Sequence, residues 1–483
     1  MGKKLISVMT DKGLFALVYI SLLLLRSVYF LQKYADVFCK LCLVWGIFII
    51  IYDLFKSRLR SLRPHKSWMP LILCVAFGAS IIVNIEYSFY GGVKNMLYLV
   101  IYLFVLFAAG YSITREKFYL RLKQICDVFN VITFVIALVS LVTFLFDIKF
   151  IYEVDGSVYK VGFWYNRLNG VLNSNMMTIY SLLALSFMVI NYAIGKQRIG
   201  KKLYFYGINA VVQFVYYSLS GSRAVGICFA AWLFVLIAFA VYPKIRENKR
   251  FGASIISSAV IFILVLSCSY GLKAGSQTVI KSSHNFIYKL FNSDVSVSEE
   301  DISFDRLEDF ESEDVDITNN RSDMWRAAIK VIKQKPLFGT AYTTILDRDG
   351  NFIGGIDTSV FDENDITALK AADFYFHNGY IQILLCGGII FALCFLVFIF
   401  NVIFKYLKHL FTARKLTCSY NIFIVIAAML AVIAIDNMVE VHLLFGGQDA
   451  IAAVFWYVLG SGLYLINTDN KEESLTENGA GND

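Results

Sequence analysis

Arg167, Arg223, Arg321 and His377 stand where apolar runs meet polar segments, in the stretches W-Y-N-R-L-N-G, S-G-S-R, R-S-D-M-W and H-N-G-Y. A guanidinium fork matches phosphate oxygens two at a time, and neutral imidazole can accept a proton near pH 7. A lone arginine held near hydrocarbon usually snorkels to the headgroups. Three arginines and a histidine gathered at one membrane face point instead to a phosphate-bearing ligand whose reaction needs a base. Asp436 and Glu440, near the end of an apolar run, are acids placed to orient His377 or to pair with an arginine. Ionisable groups in membrane segments are functional by default.

The elements that must position these residues are helices. Hydrophobic residues fill 58% of 483 positions and charged ones 17%, where a soluble domain carries about a quarter charged. Mean hydropathy is +0.62. Twelve apolar runs, at 13–31, 35–55, 68–85, 95–112, 125–146, 171–194, 203–220, 223–242, 252–272, 377–404, 418–438 and 449–466, are each long enough for a hydrocarbon core of about 30 Å. The four prolines fall in loops or at helix ends, as a helical body requires. The expected fold is an all-α polytopic membrane protein of about twelve spans.

Its parts are nine spans over 1–272, an outer segment over 273–376, three spans over 377–466 and a tail over 467–483. Alternate loops are basic, as in Lys56, Arg58, Arg60, Arg63 and Lys66, or Lys405, Lys408, Arg414 and Lys415. The positive-inside rule then puts both termini in the cytoplasm and the 273–376 segment outside. The net charge of +7 is accounted for by these flanks and says nothing about nucleic acid. The first run lacks a small-residue cleavage site and reads as an uncleaved anchor. Nine cysteines are scattered, mostly within spans, so no disulfide framework is expected. Cys39 and Cys42, one turn apart in an apolar run, make a poor redox or zinc site.

Within the outer segment, residues 294–316 carry eleven acids against Arg306 alone and read as a solvated insertion. From Asn319 to Pro336, the pattern predicts an amphipathic helix capped at Asn319 or Asn320 and stopped at Pro336. Met324, Trp325, Ala328, Ile329 and Ile332 fall on one broad face, suited to the headgroup level with Trp325 as anchor. Arg321 sits in the first turn, where a cation gains nothing from the helix dipole. Asp347–Arg348–Asp349 reads formally as D-x-D, but Asp349–Gly350–Asn351 looks like a turn. As a calcium loop it lacks the required glycine, replaced by Phe352, and the closing glutamate, replaced by Thr358. No metal site is expected.

The order of these motifs carries a resemblance. Arg-x-x-Gly at 167–170 with Asn173-x-Asn175, S-G-S-R-A at 220–224, Arg321-x-x-x-Trp325 followed by K-P-L-F-G at 335–339, and H-N-G-Y-I-Q at 377–382 are similar to the bacterial O-antigen polymerase and ligase family. That family includes the Wzy-type polymerases of capsule and O-antigen and the ligases that attach O-antigen to lipid A core. The similarity is clearest over about 160–400, and the twelve-span topology with one large outer segment agrees with it. The resemblance implies a GT-C-like membrane glycosyltransferase that uses an undecaprenyl-diphosphate-linked oligosaccharide as donor and another as acceptor, with no cofactor and no metal. By position, Arg223 and Arg321 would bind the donor diphosphate and His377 would be the base. Arg167, Arg326, Asn378 and Trp325 are further candidate substrate contacts, and Asp436 and Glu440 candidate supports. Membrane lipids, a flippase and a chain-length regulator are the expected partners, in a bacterial cytoplasmic membrane. The rival classes are a lipid-oligosaccharide flippase, which would need basic residues along a path across the bilayer, and a non-catalytic assembly protein.

Overall fold

The computed structural model describes residues 2–154, 157–195, 200–248, 251–291, 321–345, 352, 355–371, 376–412, 417–447 and 449–479. The acidic stretch 294–316, the caps at Asn319 and Asn320, and the D-x-D at 347–349 lie outside the described residues. The described residues are 79% helical.

It opens with α1 (Gly2–Met9), α2 (Lys12–Arg26), α3 (Gln32–Ser57), α4 (Met69–Val83) and α5 (Ile85–Ile101), the last running into a π turn at Tyr102–Leu106. Next come α6 (Arg115–Leu145), a sheet of β1 (Phe150–Val154), β2 (Ser157–Trp164) and β3 (Arg167–Gly170), then α7 (Ser174–Ile194), α8 (Gly200–Leu219), α9 (Arg223–Asn248) and α10 (Phe251–Phe291). After the undescribed stretch follow α11 (Arg321–Gln334), α12 (Glu363–Ala371), α13 (Gly379–Thr412), α14 (Cys418–Asp436) and α15 (Ala450–Gly479).

All twelve apolar runs fall in helices. Nine of the described helices are long and apolar enough to cross a membrane, or ten if the bent pair α1–α2 counts as one span. Of the others, α4 has only 15 residues, and α8 is rich in tyrosine and carries Asn209 and Gln213. Within α8 Gln213 Nε2 donates to Asn209 Oδ1 at 3.0 Å, and the pair ties the helix to its neighbours: Asn209 Nδ2 donates to Asn130 O on α6 at 3.2 Å, and Ser181 Oγ on α7 to Gln213 Oε1 at 2.8 Å. Where lipid is as apolar as the core, such bonds and close packing hold helices together.

Two features depart from a purely helical reading. Between α6 and α7 the chain makes an antiparallel sheet in the order β1-β2-β3. Tyr165 and Asn166 both have positive φ, at 50° and 56°, as a two-residue hairpin turn favours. Trp164 pairs with Arg167 across that turn. The second departure is α10, 41 residues long and so about 60 Å. It does not end near 272 but continues to Phe291, so the 273–376 segment begins as helix. Gln277 Nε2 donates to Ser218 O at 2.7 Å, and His284 is buried against Phe144. Polar residues such as Lys273 and Ser276 suggested a loop, but they lie on a helix that packs along α8 and α9.

The amphipathic helix is α11, with its buried face at Met324, Ala327, Ala328 and Val331. Ile329 is 45% exposed, so the face is rotated from the expected one. It packs on α12 and α13 in a small second core with Phe361, Leu369, Phe376 and Leu385, rather than presenting its apolar side to headgroups.

Behind α11 the segment Pro336–Ala341 plugs a break in α13. Gly388 has φ 66° and ψ −173°, a conformation almost confined to glycine. The break frees two carbonyls and two N–H groups of the helix. Thr340 N donates to Leu385 O at 2.8 Å and Ala341 N to Cys386 O at 2.9 Å. In return Ile389 N donates to Pro336 O at 2.8 Å and Ile390 N to Leu337 O at 3.2 Å. From the other side, Asn84, Ser88 and Asn95 donate to the carbonyls of Gly339, Thr340 and Ala341. Irregular backbone is tolerated in a membrane protein when its polar groups are satisfied this way.

Candidate functional site

Glu440, in the turn after α14, is the hub. His377 Nδ1 lies 3.1 Å from Glu440 Oε2. Arg321 Nη2 approaches Oε1 at 3.4 Å, and Asn175 Nδ2 donates to the same oxygen at 3.0 Å. Asn175 Oδ1 in turn accepts from Arg167 Nη2, while Arg167 Nε donates to Ser220 O at 3.1 Å. The carboxylate therefore gathers groups from the start of α11, the residue before Asn378 and α13, the first turn of α7 and, through Asn175, β3.

Each element holds its residue for a local reason. His377 has φ 45°, a conformation uncommon outside glycine, and its flanks are pinned. Trp325 Nε1 donates to Phe376 O at 2.8 Å on one side. On the other, Asn378 Oδ1 accepts from Tyr380 N and Ile381 N, capping α13. Gly379 N donates to Asn437 O at 2.8 Å and Glu440 O at 2.9 Å. A Cβ on Gly379 would lie 2.1 Å from Asn437 Oδ1, so only glycine fits. Asn437 Oδ1 also accepts from His442 N and Leu443 N, which shapes the turn that carries Glu440.

The electrostatics fix the histidine's tautomer. Burial pushes the Glu440 carboxyl up, but the bond and charge of His377 and the charges of His442 and Arg321 outweigh it, leaving it below the ordinary carboxylate range. An ionised carboxylate has no proton to give, so His377 Nδ1 carries the hydrogen of this contact, and Nε2 is the ring nitrogen not engaged by Glu440. Arg321 at 3.4 Å is beyond the usual 2.7–2.9 Å of a charge-assisted bond, so its fork is steadied rather than consumed.

The other sequence candidates lie elsewhere or play a different part. Arg326 Nε bonds Asp365 Oδ1 at 3.1 Å and its Nη1 bonds Asp323 at 3.0 Å. Together with Lys330 it clamps α11 to α12 through the buried Asp365, which exchanges capping bonds with Asp362. Trp325 and Asn378 hold the backbone around His377. Arg223 opens α9, two residues beyond Gly221, whose added Cβ would touch Arg167 Cγ at 3.2 Å. The side chain of Arg223 lies outside the described part of the structure. Asp436 does not reach His377: His442 Nε2 lies 2.9 Å from Asp436 Oδ2, and His442 Nδ1 lies 2.6 Å from Asp449 Oδ2. This buried acid–imidazole–acid group was not anticipated from the sequence. Its signal was there, as a histidine and an aspartate between two apolar runs. Burial alone would push His442 down, but the charges of Asp449 and Asp436 carry it well above its ordinary value. Asn175 was also missed as a contact, since a neutral amide carries no charge signal.

Fold and site together define a multi-pass helical membrane protein with arginines, a histidine and a carboxylate gathered at one mouth. The family model described as O-Antigen ligase matches residues 208–396, which take in Arg223, Arg321 and His377. Over that stretch the chain is similar to the O-antigen ligase family. No curated protein and no solved structure matches the chain.

Proposed function

We propose that the chain polymerises undecaprenyl-diphosphate-linked oligosaccharide repeat units into a surface polysaccharide, at the outer face of a bacterial cytoplasmic membrane. The observation that supports this reading is the Glu440 hub, which holds His377 by Nδ1 together with Arg321 and, through Asn175, Arg167. An acceptor sugar hydroxyl attacks the anomeric carbon of the lipid-linked glycan. His377 Nε2 takes the hydroxyl proton as the new C–O bond forms. The bond from the anomeric carbon to the diphosphate oxygen breaks, and the electron pair leaves with the lipid diphosphate. Arg321 and Arg223 stabilise the charge growing on that leaving group, often the largest single term in catalysis. Attack in one displacement inverts the anomeric configuration. The family description favours a second reading, transfer of the finished lipid-linked chain to a different acceptor. Both use the same donor.

The deciding experiment is an electrophoretic profile of lipid-linked and surface glycan with the gene deleted and then restored. Loss of the long ladder with single repeat units still displayed outside supports the polymerase. Long chains left on undecaprenyl diphosphate support the ligase. Repeat units trapped on the cytoplasmic side overturn both and point to a flippase.

A further inference from the structure

An apolar furrow of about 480 Å³ runs down the bundle beneath the site, walled by α9, α13 and α14 and floored in part by α15. Along α13 its lining recurs at helical spacing from Tyr380, through Ile383, Phe395 and Tyr406, to Leu410. That stretch takes in α13 on both sides of the break at Gly388. On α14 small residues, Ala427, Ala431 and Ala434, keep it open. Leu396, Ile403 and Leu407 on its rim are between 43% and 47% exposed, so it opens sideways to lipid.

The upper end of the furrow adjoins the cationic mouth. Tyr380 is one turn below His377, and Leu443 is three residues beyond Glu440. The two parallel walls, α9 and α13, start at Arg223 and just after His377. An occupant must therefore combine an anionic head with a long apolar tail. We infer that this furrow takes the isoprenoid tail of the lipid diphosphate whose head sits among Arg321, Arg167 and His377. The inference rests on the lipid-diphosphate reading above and adds where the tail goes.

Charge and shape choose the occupant. The guanidinium forks of Arg167 and Arg321 at the mouth suit a diphosphate. A diacyl phospholipid would bring two chains to one furrow, a prenyl diphosphate only one. The volume is about three times the ~150 Å³ that accepts benzene, room for on the order of three to four five-carbon units. The furrow thus grips the head-proximal part of the tail, and the remainder lies in the bilayer. Apolar burial is unspecific in direction but grows with area, so this grip adds affinity for donor and acceptor lipid alike without touching the reacting atoms.

The test uses the full chain in nanodiscs and undecaprenyl diphosphate carrying a diazirine on its third isoprene unit. Light should attach label to peptides of α9, α13 and α14 that line the furrow. Ala431→Trp, which fills the floor, should cut that label about tenfold. Val135→Trp, on the exposed face of α6, should leave it unchanged and controls for the added bulk. Unlabelled undecaprenyl diphosphate should compete and phosphatidylglycerol should not. Saturable label mapped to other helices overturns the furrow and leaves the donor reading standing. Equal competition by phosphatidylglycerol overturns the isoprenoid assignment, making the furrow an ordinary acyl-chain groove. No saturable binding by the wild-type chain overturns the furrow and the donor reading together.

Discussion

At the scale of single residues, one carboxylate sets the properties of its neighbours. His377→Ala should abolish turnover while leaving binding of a lipid-diphosphate donor intact, measured with purified protein and radiolabelled donor; an active alanine variant would remove His377 as the base. Glu440→Gln should lower kcat by about 10²-fold, the lower end of general-base contributions. It should also change the shape of the pH–rate profile, because the amide removes the charge that faces His377. A uniform loss with an unmoved profile would make Glu440 merely structural. Arg321→Lys should also be poor, since a point charge does not reproduce a fork. The His442 group gives a separate signature in stability. Its value is raised by Asp449 and Asp436, so its contribution is complete below about pH 6.5 and fades as pH rises toward the raised value. His442→Gln should therefore destabilise most near pH 6 and least in alkali, read from melting curves in detergent. The cations were legible in the sequence because charge at a span mouth is conspicuous. Their pairing was not: Asn175 and Glu440 are 265 residues apart, and Asp436 and Glu440 could not be told apart until the turn between α14 and α15 aimed one at His377 and the other at His442.

At the scale of elements, the plugged break in α13 ties the outer segment to the site. Gly388→Ala should destabilise by about 1–3 kcal/mol from backbone strain alone. The clash adds to that, because a Cβ there would lie 2.3 Å from Leu337 O. The check is a lowered melting temperature together with increased proteolysis within 336–345. An unchanged melt would mean that the break is soft. Helices were readable because long apolar runs have one good solution in lipid. The strands were not: F-I-Y-E-V and S-V-Y-K-V-G-F-W alternate weakly and sit in a short connection between two spans. Nor was the register of α11, where Ala327 and Val331 took the buried face from Ile329. Small residues permit close approach to α12 and α13, which a hydropathy pattern undervalues.

At the scale of the whole molecule, the basic loops and the site should lie on opposite sides of the bilayer. In a chain with Cys268→Ser and Cys418→Ser, a cysteine at Ser359 should react with a membrane-impermeant maleimide in intact spheroplasts, and one at Arg60 only after lysis. The reverse pattern would turn the protein over and remove the outer site. The hub also has a consequence for biogenesis. The arginines and the histidine are all translated before the carboxylate that gathers them. At about 5–20 residues per second, Glu440 leaves the ribosome roughly 15 to 50 s after Asn175. Until then the nascent chain holds its cations at the membrane with no acid to organise them, free to engage headgroups or stray lipid phosphates. A polypeptide cut short before the turn after α14 would thus be inserted yet chemically unassembled, and quality control could recognise it by that unneutralised charge.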